Sequence, residues 1–207
     1  MRRMTRLGGV LAAAGLAAGL TMAGTGTARA DVTPPTGPGT WAEIFAPEIN
    51  SNQITLCADV PNGSTAQFQS LQLWRCHGYA SNGNPQRWQF SYQGQFLGGP
   101  LPIYQIANVG SGLCIGLDPS RVNAGTIPGS NLVQESCISN LTSWILKPAT
   151  NSPDPNNQFM LLNAFDSLSF HHLPYAMEAN TFLDQNGNRL IAEPQSDWNS
   201  AQWYALG

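Results

Sequence analysis

The side chains able to do chemistry in this 207-residue chain are unevenly placed. Asp59, Gln72, Trp74, Asn84 and Gln86 crowd together between Cys57 and Trp88. They supply a carboxylate, three amides and an indole. Residues 71–88 read LQLWRCHGYASNGNPQRW, with two tryptophans around a cysteine among turn-forming residues. An indole is costly to expose, and its N–H is usually satisfied when buried. The pair therefore asks which tryptophan is core and which is surface.

Bond-breaking chemistry is poorly served elsewhere. Glycoside hydrolysis needs two opposed carboxylates across a cleft, and no pair is marked by a motif. No G-x-S-x-G nucleophile turn occurs. His171 and His172 are adjacent, so on a strand they point to opposite faces and do not share an ion. His77 is distant in sequence. The chain is read as a non-enzyme with no metal and no cofactor.

The segments that must position the first group are legible from composition. Residues 1–30 have a basic start (Arg2, Arg3, Arg6), an Ala/Gly-rich apolar run and an A-x-A ending at Ala30. This is the pattern of a secretory signal peptide cleaved after Ala30. Its loss removes four arginines and no acid. Five bases then face twelve acids, for a formal charge of −7. Nucleic acid needs a basic face, so it is excluded as a partner, and membrane insertion is not expected. The four cysteines, Cys57, Cys76, Cys114 and Cys137, all lie in the exported part, where an even count suggests two disulfides. Four cysteines allow three pairings, and the count does not choose among them.

The rest of the chain repeats itself. YQIANVGSGLCI (104–115) is echoed by FMLLNAFDSLSF (159–170), and a poorer copy ends at Cys57. Cys57 and Cys114 are 57 residues apart; Ser169 follows 55 later. Trp88, Trp144 and Trp203 close successive copies at spacings of 56 and 59. A fixed period implies a pseudo-symmetric fold. Propeller blades are shorter and more numerous, and helical repeats would show a 3.6 period, which is absent. Three strand-rich units predict an all-β protein, a β-trefoil of three four-stranded repeats. Residues 31–40, rich in Pro and Gly, read as an extended leader. The trefoil takes 41–207, with repeats at about 41–90, 91–147 and 158–207.

CADV…LQLWRC…NPQRW resembles the ricin B-type lectin repeat, with its C-x-D near the start and Q-x-W at the end. The resemblance implies disulfides Cys57–Cys76 and Cys114–Cys137. It makes Trp88, Trp144 and Trp203 core residues around the pseudo-threefold axis. It places Trp74 where the family often carries the aromatic platform of a sugar site. A pyranose has an apolar face and a hydroxyl rim. An indole covers the face, a carboxylate accepts strong hydrogen bonds from hydroxyls, and amides serve the remainder. Asp59, Gln72, Trp74, Asn84 and Gln86 are the expected carbohydrate-binding residues. One departure is Pro85, where the family usually has asparagine.

In the second repeat the corresponding positions are Gly116, Val133 and Glu135. In the third they are read as His171, Ile191 and Glu193. At most one sugar site is therefore expected, in the first repeat. The resemblance implies a secreted, non-catalytic carbohydrate-binding protein whose partner is a glycan or polysaccharide. A separate secreted protein is the other partner class, on the alternative that the chain is a protein-interaction module such as a toxin-type binding subunit or hydrolase inhibitor.

Overall fold

The computed structural model describes residues 32–46, 55–77, 84–154, 157–165, 174–180 and 186–207. The signal segment, Ser169, His171 and His172 lie outside them. The described residues hold twelve strands and one five-residue helix, α1 (Pro119–Asn123). The first repeat carries β1 (Ile44–Ala46), β2 (Leu56–Asp59), β3 (Gln72–Arg75) and β4 (Trp88–Gln95). The second carries β5 (Pro102–Asn108), β6 (Cys114–Leu117), β7 (Ser130–Glu135) and β8 (Ser143–Pro148). The third carries β9 (Phe159–Asn163), β10 (Tyr175–Ala179), β11 (Asn188–Pro194) and β12 (Ala205–Leu206).

Six strands close a barrel. β4 pairs β5, β5 pairs β8, β8 pairs β9, and β12 pairs β1. The bridges Phe159–Tyr204 and Ala42–Trp88 complete the ring. The other six strands form three hairpins, β2–β3, β6–β7 and β10–β11. Their inner strands meet in a triangle. β11 pairs both β3 and β7, and Ser70 bridges Val133. Closure leaves the barrel no free edge. This is the three-repeat β-trefoil that the period predicts.

Alternation sets the core. In β5 the side chains of Tyr104, Ile106 and Asn108 point in and those between them outward, the period of two a half-buried strand requires. β9 is buried at every position. Its inner face joins the barrel core through Phe159 and Leu161. Its outer face joins a second cluster with Ile145, Ala149 and Ala176, covered by Phe96, Leu101 and Trp203. The leader is part of the fold as well. Pro34 is buried, Val32 packs on the core, Thr36 bridges Phe90, and the Gln89 amide donates to Gly37 O at 3.2 Å.

Both disulfides pair as the resemblance implies, Cys57–Cys76 and Cys114–Cys137, across sequence separations of 19 and 23. Each staples one hairpin, and loops of this size stabilise by about 3 kcal/mol in the chain-entropy account.

The core tryptophans need one correction. Trp88 and Trp144 are fully buried, and their indole N–H groups donate to equivalent carbonyls, Ala58 O at 3.0 Å and Ile115 O at 2.8 Å. Trp203 is only partly buried and belongs to the outer cluster. Tyr204 takes the third core place, fully buried, with its hydroxyl donating to Ala201 O at 3.2 Å. The reason is register. Each repeat ends in a 3-10 turn, Asn84–Gln86, Asn140–Thr142 or Ser200–Gln202, and the core residue follows two positions later. The third motif is therefore Gln202-Trp203-Tyr204. Trp203 aligns with Arg87 and Ser143, which are outward positions. Tyr204→Ala is expected to cost about 3 kcal/mol or more, as for other buried aromatics, and clearly more than Trp203→Ala. Urea unfolding of the two variants checks this; the reverse order would refute the alignment.

Candidate functional site

The first-repeat hairpin builds an open cleft of about 400 Å³. Asp59 and Gln72 face each other across the β2–β3 ladder, as do Cys57 and Trp74. Cross-strand partners share a face. Asp59, Gln72 and Trp74 are therefore aligned by pairing alone. Asp59 is the floor, buried at 4% exposure. The Gln72 amide donates to Asp59 Oδ2 at 2.8 Å. Trp74 stands at the rim, 36% exposed, and lines the cleft.

The opposite wall is the tight turn Pro61–Gly63, where Asn62 and Gly63 both adopt left-handed backbone (φ 56° and 62°). It packs against Pro85, whose carbonyl accepts from Val60 N–H at 3.0 Å. Pro85 thus gives the cleft an apolar wall. Asn84 opens the following 3-10 turn; its side chain lies outside the described residues.

Gln86 sits behind the cleft. It is fully buried, its amide donates to Arg75 O at 3.1 Å, and its oxygen accepts from His77 N–H at 2.9 Å. Gln202 makes the equivalent pair of bonds to Pro194 O and Ser196 N–H. A residue with the same bonds in a repeat without the platform is a tie between hairpin and barrel. Gln86 also hydrogen-bonds Asp59, so it positions the carboxylate from beneath. Sequence reasoning missed two residues that line the cleft, Asn62 and His77. His77 directly follows the disulfide cysteine, and Asn62-Gly63 is a turn dipeptide that starts three residues past the ladder. Either signal could have found them.

Burial pushes the Asp59 carboxyl above the ordinary aspartate range; hydrogen bonds from Gln72 and Gln86, and the nearby His77, act in the other direction. Asp59 is therefore a poorly hydrated acceptor in the lining of the cleft.

The other repeats differ. In the second, Gly116 faces Val133 and Cys114 faces Glu135. A side chain at Gly116 would meet Glu135 Cβ and Thr142 Cγ2 at 3.0 Å, so the place of Asp59 is already filled. Residues 64–70 also strap across β7, with Phe68 N–H donating to Gln134 O at 2.7 Å and Gln134 N–H to Gln69 O at 2.9 Å. In the third repeat Glu178 faces Ile191 and Ala176 faces Glu193. The counterpart of Asp59 is thus Glu178, not His171. Glu178 Oε2 accepts from Gln202 at 2.8 Å and Asn199 at 2.9 Å. The platform position is Glu193, whose carboxyl is raised first by burial and then by the Glu178 charge. Among the described residues, only the first repeat joins carboxylate and indole on one face.

No protein-family model matches the sequence, and no curated protein matches it. Solved structures do match. The designed threefold-symmetric protein ThreeFoil aligns with a TM-score of 0.59 at 18% identity, over 80% of this chain and 96% of that one. The Rhizoctonia solani agglutinin aligns at 0.53 and 19%, over 84% and 98%. An exo-β-1,3-galactanase from Clostridium thermocellum aligns at 0.57 and 14%, over 83% of this chain and 31% of that longer enzyme. These likenesses show the fold: the chain is a β-trefoil. No described helix is long and apolar enough to cross a membrane.

Proposed function

We propose that the chain is a secreted, non-catalytic carbohydrate-binding protein whose sugar site is the first-repeat cleft. The observation that carries this reading is the Asp59–Gln72 pair at the floor of an open cleft beneath the rim of Trp74. The pair offers acceptor and donor to vicinal hydroxyls, and the indole offers a flat apolar face. Asn62 and His77 supply further polar groups on the wall. The agglutinin among the structural neighbours supports the reading, as do two disulfides behind a signal-peptide pattern, which suit an oxidising compartment.

With one small, open site per chain, affinity for a simple sugar is expected on the order of millimolar, without intrachain avidity. A glycan array probed with the intact protein and with Trp74→Ala tests the proposal. Binding of one glycan group that disappears in the variant is expected; binding unchanged in Trp74→Ala would refute the site. The interaction-module alternative draws on the exposed Leu97, Ile138 and Trp198. It is favoured if no glycan binds at all.

Affinity should also depend on pH. If sugar hydroxyls donate to ionised Asp59, binding weakens on acidification. Because burial raises this carboxyl, the loss should begin at a higher pH than a free aspartate dictates. Titration calorimetry across acidic pH reads this; an affinity flat down into the ordinary aspartate range would remove Asp59 from the ligand contacts.

A further inference from the structure

The row of side chains through the cleft does not stop at the edge of the first repeat. β3 pairs β11 of the third repeat, with Leu73 opposite Asn188 and Gln72 opposite Arg189. Gln72 in turn faces Asp59. Paired residues in an antiparallel ladder share a face, so Asp59, Gln72 and Arg189 form one row across three strands. The alternate row, with Leu73, Asn188 and Leu190, is buried. Exposure rises along the outer row, from Asp59 buried, through Gln72 half-buried, to Arg189 exposed.

The joint between the repeats is well built. Gly187 N–H donates to Leu73 O at 2.9 Å, and Arg75 N–H donates to Asn186 Oδ1 at 2.7 Å. Gly187 has φ +84°, which favours glycine. Its missing Cβ would lie 3.8 Å from the Trp74 ring. The indole therefore leans along this junction, and no side chain stands between it and the third repeat at Gly187.

Arg189 makes no ion pair among the described residues, whereas Lys147 is bound to Asp197 at 2.7 Å and Arg87 lies over the Trp41 ring. Arg75, which directly follows Trp74, alternates off the Gln72–Trp74 face. Strands lie about 4.8 Å apart, so Arg189 is roughly two strand spacings from Asp59. A ligand group taken by one is not the group taken by the other.

We propose that the site reads an acidic glycan, with one sugar unit on Asp59, Gln72 and Trp74 and a carboxylate or sulfate on the neighbouring unit held by Arg189. This rests on the sugar-site reading above. A guanidinium suits both anions because it offers a planar fork of donors. The acidic chain as a whole repels anions, so a preference for an acidic ligand requires a local cation in the site.

The test uses oligosaccharides of one length in three forms, neutral, uronate-bearing and sulfate-bearing, titrated against the intact protein and Arg189→Gln. An acid-bearing form is expected to bind about fivefold more tightly than the neutral one, the scale of one exposed charge pair. The two acidic arms show which anion is preferred. In Arg189→Gln the ratio should fall to near one. Added salt should lower it in the unmodified protein, which provides a readout that needs no variant. Equal binding of all three forms, lost in Asp59→Asn, overturns the role of Arg189 and leaves the sugar site standing. A preference that survives both Arg189→Gln and salt overturns it also. No binding by any form overturns the sugar site, and this inference with it.

Discussion

Asp59→Asn should abolish measurable sugar binding while leaving the fold intact. The carboxylate is the buried acceptor at the cleft floor, and hydrogen bonds to a charged group contribute about 1.5–3 kcal/mol each. Losing one weakens affinity by at least about tenfold, which takes a millimolar site out of detection. Stability should barely move. Burial raises the Asp59 carboxyl in the folded state. The folded protein therefore holds this proton to a higher pH than the unfolded chain. By linkage, stability falls as pH rises from the ordinary aspartate value through the raised one, and is level above it. Asparagine removes that slope and the desolvated charge. It keeps an oxygen for Gln72 but turns an N–H₂ toward Gln86, losing about 1 kcal/mol of hydrogen bonding. The two changes oppose each other. Thermal unfolding with and without ligand separates the outcomes: unchanged melting with lost ligand stabilisation is expected. A variant that still binds, or one that unfolds, counts against this account of the floor.

Trp88→Ala should be the most damaging single change to the fold. Trp88 is fully buried, its N–H is bound to Ala58 O, and its backbone bridges Ala42 to close the barrel. Truncating such a side chain costs about 3–5 kcal/mol in transfer and cavity terms, and the carbonyl of Ala58 loses its partner. That is a large share of the stability of an ordinary domain, a fall in melting temperature of roughly 10 °C. Trp144→Ala should behave alike, because its N–H takes the matching carbonyl in the second repeat. Trp74→Ala should cost about 1 kcal/mol, because a rim side chain has little to leave behind. Equal losses at Trp74 and Trp88 in calorimetric melting would contradict the division of the two tryptophans into surface and core.

Much of this division is legible in the amino-acid sequence. Cys57, Trp74 and Asp59 belong to one hairpin whose pairing is local, so a motif within about thirty residues records it. The two disulfides are local for the same reason. Matching identical letters without a register misleads elsewhere. Trp203 matches Trp144 by residue type, yet the 3-10 turn at Ser200–Gln202 places Tyr204 inside. Counting residues matches His171 with Asp59. The ladder opposite Ile191 selects Glu178 instead, because the third repeat spaces β9 and β10 differently. Gln86 carries the right motif letter but a structural duty, shown only by its buried bonds to Arg75 and His77.

By itself the sequence determined the repeat period, the all-β class, the cysteine partners implied by the resemblance, and the repeat in which a carboxylate and an exposed indole coincide. These depend on alternation and on contacts within one hairpin, and both are written in neighbouring residues. Only the tertiary structure decided that Arg189 continues the row begun by Asp59 and Gln72, that the leader packs on the barrel, and that residues 64–70 cover the second repeat. Those contacts join segments brought together by closing the barrel and its triangular cap. No local pattern encodes a pairing between segments more than fifty residues apart in the chain.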